Sequence, residues 1–158
     1  DVFYKLREVT GGRKSVELDF FKRLLYNFLI QNGDYHLKNI SVISPKLTAN
    51  GHYESLSPNY DSVMNRLYSP NESELALDLL KGNDLPKSSV NLGWLTRDDF
   101  DELGERVQLP AKARQLIYDD FKKLKPQIYE LIEASYLSDQ NKKKYLKNVN
   151  IRLTRLGI

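Results

Sequence analysis

From Ser15 to Gln31, apolar side chains recur at Leu18, Phe21, Leu25, Phe28 and Leu29, the spacing of one helical face. Phe20, Leu24 and Ile30 widen the stripe until little of the circumference stays polar, which predicts a deeply buried helix. Its end is expected at Asn32-Gly33, where a residue tolerant of positive φ suits a helix C-terminus. The period then changes. Ile40, Val42 and Ile43 suit a short strand, S-P-K-L-T-A-N-G-H is turn-rich, and Y-E-S-L alternates as a returning hairpin partner that runs into S-P-N-Y-D. From Tyr68 to Trp94 the pattern is less regular, punctuated by S-P-N, K-G-N-D and L-P-K, with one short helix expected at Glu74 to Leu80.

The last third returns to helical spacing. Thr96 followed by Asp98 and Asp99 reads as an N-cap with carboxylates in the first turn, and Pro110 opens a run through Leu116, Ile117 and Phe121. Pro126 is expected to end or kink that run, with Ile128, Leu131, Ile132 and Tyr136 on a new helix. A final helix carries Tyr145, Leu146, Val149, Leu153 and Leu156. At the other end, D-V-F-Y-K-L-R reads as the middle or end of a helix already under way. The chain shows no internal repeat and no low-complexity segment.

Composition narrows the possibilities. With 158 residues, 41% hydrophobic and 28% charged, the default is one domain with an ordinary polar surface. No apolar stretch approaches the roughly 18 residues that a membrane helix needs, and the N-terminus lacks the order of a signal peptide, so a soluble, cytoplasmic protein without membrane contact is expected. The absence of cysteine removes disulfides, thiol nucleophiles and thiolate metal sites together. A net charge of +3 does not demand a nucleic-acid partner.

The stretch N-G-D-Y-H-L-K-N carries the candidate chemistry. Asp34 and Asn39 stand five apart, the spacing used in a kinase catalytic loop, where the aspartate accepts the substrate hydroxyl proton and the asparagine holds a metal. Alone the pair is a weak signal: with 12 Asp and 12 Asn, about one such pair arises by chance, and Asp78 with Asn83 is a second instance. Context separates them. Asp78 lies within L-A-L-D-L-L-K-G-N, read as a solvated helix face, whereas Asp34 follows a helix end and precedes a strand. Phosphoryl transfer also needs a second acidic ligand near the base, and Asp61 follows at the far end of the predicted hairpin. The plainer alternative makes Asp34 a turn residue after a C-cap and Asp61 an Asx-turn beside Pro58.

N-G-D-Y-H-L-K-N-I-S-V-I followed by G-H-Y-E-S-L-S-P-N-Y-D resembles the paired signature of HipA-type serine/threonine kinases, the toxin halves of bacterial toxin–antitoxin modules. The Asp-x-His-x-Lys-Asn core and the Leu-x-Pro-x-Tyr-Asp segment both match, and the resemblance extends over nearly the whole chain. It implies a mainly α, α+β fold: a protein-kinase-like C-terminal lobe over residues 1–158, a helical bundle with a short β-hairpin beside the catalytic loop. It further implies ATP and Mg²⁺ as cofactors, Asp34 as catalytic base, Asn39 and Asp61 as metal ligands, and His36 and Lys38 as cofactor-binding companions in the loop. The implied partners are a protein substrate and an antitoxin of helix-turn-helix type, with DNA reached only through the antitoxin. Ser62-Val63 after Asp61 departs from the Phe-Gly of eukaryotic kinases and agrees with the HipA group.

The nucleotide-covering parts are missing. There is no G-x-G-x-x-G, no G-x-x-x-x-G-K-[ST] and no V-A-I-K-like strand; T-G-G-R-K-S at Thr10 to Ser15 reads instead as a loop into a helix. A nucleotide-binding lobe is therefore expected upstream or on another chain, with the 158 residues inactive alone. Two rival readings stay open. The basic tail, with Lys142, Lys143, Lys144, Lys147, Arg152 and Arg155 against Asp139 alone, could serve a non-catalytic module that binds an antitoxin or DNA. A small-molecule phosphotransferase of the aminoglycoside-kinase type also carries a G-D-x-x-x-x-N loop, and the Pro58–Asp61 segment counts against it.

Overall fold

Helix α2 (Lys14–Leu29) organises the core. Phe21, Leu25 and Phe28 are wholly buried, and α2 touches α1 (Val2–Val9), α5 (Ala111–Ala134), α6 (Asp139–Arg155) and the second strand of the hairpin. Burying such side chains contributes about 1.5–3 kcal/mol each, which is why the helix with this wide apolar face sits at the centre. The structure, a computed structural model, describes residues 1–44, 51–69, 71, 73–82 and 84–158; the turn read at 45–50 and Asn83 lie outside the described residues.

The hairpin pairs β1 (Val42–Ile43) with β2 (Ser55–Leu56) antiparallel, in the register Val42 to Leu56 and Ile43 to Ser55. Leu56 points into the core against α2. Two short 3₁₀ turns flank the hairpin, Leu37–Asn39 before it and Asn65–Leu67 after it, and the second packs on α6. α3 (Lys87–Leu92) and α4 (Arg97–Arg106) then lead into α5 and α6. The fold is mainly α with a small two-stranded antiparallel sheet among the described residues, as the resemblance implied. No described helix is long and apolar enough to cross a membrane.

The helix-start reading at Thr96 holds in detail. Thr96 and Asp99 form a capping box, the Thr96 side chain accepting from the Asp99 N–H and Asp99 Oδ2 accepting from the Thr96 N–H at 2.9 Å. Three expectations are corrected. The left-handed residue that ends α2 is Gln31, at φ 57°, and not Gly33. The segment expected as a helix from Glu74 to Leu80 is irregular despite its helical spacing: Glu74 spends its carboxylate on distant partners, while Leu75, Leu79 and Leu80 pack on the core. Pro126 does not divide the chain: α5 runs unbroken from Ala111 to Ala134 with Pro126 inside it. Pro126 and Lys122, whose carbonyl loses its hydrogen bond, are both exposed, while Phe121 and Ile132 on the opposite side are buried. Core contacts on both sides of the proline outweigh one missing bond that water can replace.

The cluster around Glu74 shows what the irregular segment does instead. Glu74 Oε2 accepts the Leu95 N–H at 2.8 Å, while Oε1 lies 2.8 Å from Arg152 Nη1 and 2.7 Å from Arg155 Nη1. Arg152 is 1% exposed, with its guanidinium stacked 4.3 Å over the Phe28 ring. Burial lowers its pKa to about 10, with the Glu74 carboxylate opposing that shift.

Candidate active site

The candidate site is built on the end of α2. With Gln31 in the left-handed region, its N–H donates to the Phe28 carbonyl at 3.1 Å and the Asn32 N–H to the Asn27 carbonyl at 2.9 Å, the two bonds of a Schellman turn. The chain is thereby turned back across the helix end, and Asn32 is delivered into the interior with no exposed surface.

Asn32 uses its whole carboxamide there. Nδ2 donates to Asn27 Oδ1 at 2.9 Å and to the main-chain carbonyl of Asp61 at 3.0 Å, and Oδ1 accepts the Asp34 N–H at 3.1 Å. A single buried side chain therefore holds both Asp34 and Asp61 by their backbones. The Asp34 carbonyl is held as well, accepting the His36 N–H at 2.8 Å and Asn39 Nδ2 at 3.0 Å. Asn39 is 6% exposed, and with Nδ2 committed to the loop its Oδ1 is the atom left to accept or to ligate.

With both ends of its peptide unit fixed, Asp34 presents its carboxylate to solvent, 53% exposed, with His36 Nε2 3.7 Å from Oδ1. His36 Nδ1 is buried and has no hydrogen-bond partner among the described residues. Lys38 projects its side chain outward and gives its carbonyl to the Tyr60 hydroxyl at 2.9 Å. With its proton committed there, Tyr60 accepts from Ser41 Oγ at 2.9 Å, so the segment after β2 is stapled to the loop one residue before Asp61. Asp61 itself adopts φ 54°, a left-handed conformation that aspartate tolerates better than most residues, and is exposed.

The residues singled out in the sequence thus lie on one hydrogen-bonded frame. Asp34 and Asn39 are joined directly, and Asp61 is joined to Asp34 through Asn32. Among the described residues no group of three His, Asp or Glu side chains gathers as a protein-only metal cage would require. The donors present, two carboxylates and an amide oxygen, are hard oxygen ligands of the kind Mg²⁺ takes when phosphates and water complete its shell. Asn27, Asn32 and the hydroxyl of Tyr60 were missed as positioning groups. The available signal was a pair of asparagines placed on either side of the C-terminus of a helix whose last turns are mostly apolar.

The helix-to-hairpin frame with an Asp–x₄–Asn loop agrees with a comparison against known families, in which the model of the HipA-like C-terminal domain matches residues 1–128. The chain belongs to the HipA-like C-terminal domain family. Its relatives include a Haemophilus influenzae protein named "Putative kinase", 31% identical over 157 residues that cover 94% of this chain and 45% of the relative. Another, "Putative kinase Y4dM" of Sinorhizobium fredii, is 31% identical over 94 residues, covering 60% of this chain and 20% of the relative. This HipA-like domain therefore spans less than half the length of either curated relative, and its family relationship is to kinases.

Proposed function

We propose that this HipA-like domain is the C-terminal lobe of a kinase that transfers the γ-phosphoryl group of ATP to a Ser or Thr hydroxyl of a protein. The observation that carries the reading is the Asn32 carboxamide, which joins the Asp34 N–H to the Asp61 carbonyl and so ties the two acidic residues of the motif into one unit. Asp34 orients the acceptor hydroxyl and takes its proton, since its carboxylate is solvent-facing and its backbone is immobilised at both ends. Asn39 Oδ1 and the Asp61 carboxylate hold Mg²⁺, which supplies neutralisation of phosphate charge when bound. His36 and Lys38 stand on the same loop as cationic or donating contacts for the nucleotide phosphates. The nucleotide-covering lobe comes from sequence outside these 158 residues, in keeping with the greater length of both relatives.

The proposal extends to a toxin's place in a toxin–antitoxin module, with an antitoxin of helix-turn-helix type as partner and DNA reached through it, on the resemblance of N-G-D-Y-H-L-K-N and L-S-P-N-Y-D to HipA-type kinases. The test of the catalytic reading is Asp34→Ala in the complete kinase. Phosphoryl transfer from radiolabelled ATP should fall by about two to four orders of magnitude with the fold intact by circular dichroism. Undiminished transfer would remove Asp34 from the role of base. In calorimetry the 158 residues alone should bind ATP feebly, and tight Mg²⁺-dependent binding would show that the further lobe is not needed.

A further inference from the structure

A cavity of about 580 Å³ opens immediately beyond Asp61. One wall comes from the Ser62–Ser69 segment and the other from Leu137 and Tyr145. A second cavity, of about 280 Å³, shares Leu137 and Tyr145 with the first and continues between α2, α5 and α6 past Leu29, Ile128 and Ile132. Sharing Leu137 and Tyr145, the two form a trough with a largely apolar lining, whose near end is built from the residues that directly follow Asp61 in the chain.

We infer that this trough receives the polypeptide being phosphorylated, as an acidic segment with a large apolar side chain a few residues from its Ser or Thr. The inference rests on the phosphotransferase reading above and specifies its acceptor. Reach comes first. Ser62 directly follows Asp61, whose carbonyl shares Asn32 with the Asp34 N–H, so three or four extended residues, about 10–14 Å, lead from Asp34 into the cavity. Shape comes next. A small hydroxyl compound held at Asp34 would leave the far part of the trough empty, whereas an elongated chain fills it. Val63 and Tyr68 at the near end are 55% and 75% exposed and Leu131 at the far end is 72% exposed, apolar surface that such a chain would cover.

Polar complementarity gives the segment its character. Asn65 lines the cavity, and its Oδ1 is buried without a hydrogen-bond partner among the described residues. Lys144 Nζ reaches the carbonyl of the lining residue Leu67 at 3.0 Å. Of the lysines in the first half of α6, Lys142 and Lys144 flank Tyr145 on the side of the trough, whereas Lys143 and Lys147 lie on the opposite face, so Lys142 and Lys144 supply the positive charge at this edge. Tyr145 stays a neutral phenol, burial pushing it up to about 12.

The test presents a positional-scanning library of Ser- and Thr-centred peptides to the complete kinase with ATP. Peptides with Glu or Asp flanks and a nearby Leu, Phe or Met should be preferred. Lys144→Glu should raise KM for acidic peptides about five- to tenfold with little change in kcat and move the preference toward basic flanks. Tyr68→Ala, at an exposed position, should weaken selection for the apolar residue. Asp34-dependent transfer to peptides with no such selection, or with a charge preference that Lys144→Glu leaves unmoved, would overturn the trough assignment alone. Transfer to small hydroxyl compounds but not to peptides would overturn the trough and the protein acceptor. No Asp34-dependent transfer from ATP to any acceptor would overturn this inference and the phosphotransferase reading together.

Discussion

The side-chain amide of Asn32 and the main-chain carbonyl of Asp61 meet at 3.0 Å across 29 positions of sequence. The bond fixes the distance between the end of α2 and the end of the hairpin, and so the relation of one acidic motif residue to the other. Asn32→Ala should destabilise the fold by about 1–3 kcal/mol, since it leaves buried polar groups without partners. Phosphoryl transfer should fall well beyond what that loss explains. Asn27→Ala is the control: it removes the bond to Asn32 but leaves the one to Asp61, so it should lower stability in urea denaturation with much less effect on transfer. Equal losses of transfer in the two variants would show that Asn32 acts only through stability.

Glu74 gathers Arg152, Arg155 and the Leu95 N–H around one carboxylate, joining the irregular segment to α6. Removing it would leave the buried Arg152 without its counter-charge. Glu74→Ala is expected to cost about 2–4 kcal/mol, somewhat below the range for fully buried pairs because Glu74 keeps 22% of its side chain in solvent. Arg152→Met combined with Glu74→Gln should recover much of that loss by replacing the pair with apolar packing on Phe28. Chemical denaturation of the three proteins measures the difference.

The carboxylate of Glu17 gives the fold an acid-sensitive point. Burial by itself would raise its pKa, but hydrogen bonds from Arg7 Nη2 at 2.7 Å and Lys14 Nζ at 3.1 Å win, and the pKa lies below the ordinary 4.5. The unfolded chain therefore binds the proton more readily than the folded one. The stability contributed by this cluster is complete above pH 4.5 and is lost as the pH falls through the lower value of the folded state. Thermal unfolding followed from neutral to acid pH should show that loss, and Glu17→Gln should flatten it while lowering stability at neutral pH.

Pro126 lies within one continuous helix on its exposed side. Replacing it with alanine restores a backbone hydrogen bond without disturbing the core, so Pro126→Ala should raise stability by about 1–3 kcal/mol, visible as a higher Tm. A helix boundary at this position would give no such gain.

The readable and unreadable parts of the molecule divide by the range of the interactions that decide them. α2, the capping box of α4 and the hairpin are written in periodicity and local hydrogen-bonding chemistry, so a sequence window contains their causes. Asp34 at a helix end before a strand was legible for the same reason. The stretch from Glu74 to Leu80 has helical spacing, yet its glutamate binds partners at positions 95, 152 and 155, and those contacts override the local preference. At Pro126 the local signal was a helix breaker, and packing of Phe121 and Ile132 overrode it in the other direction.

By itself the sequence determined a mainly helical chain with a central apolar helix, a hairpin after it and the Asp34, Asn39 and Asp61 motif, because spacing and residue type act over a few neighbouring positions. Only the tertiary structure decided that Asn32 would turn inward to hold Asp34 and Asp61 together, and that Leu137 and Tyr145 would close a trough against the segment that follows Asp61. A buried amide or a cavity wall gains its partners from chain segments that meet only on folding, and no local window of the sequence holds both sides of such a contact.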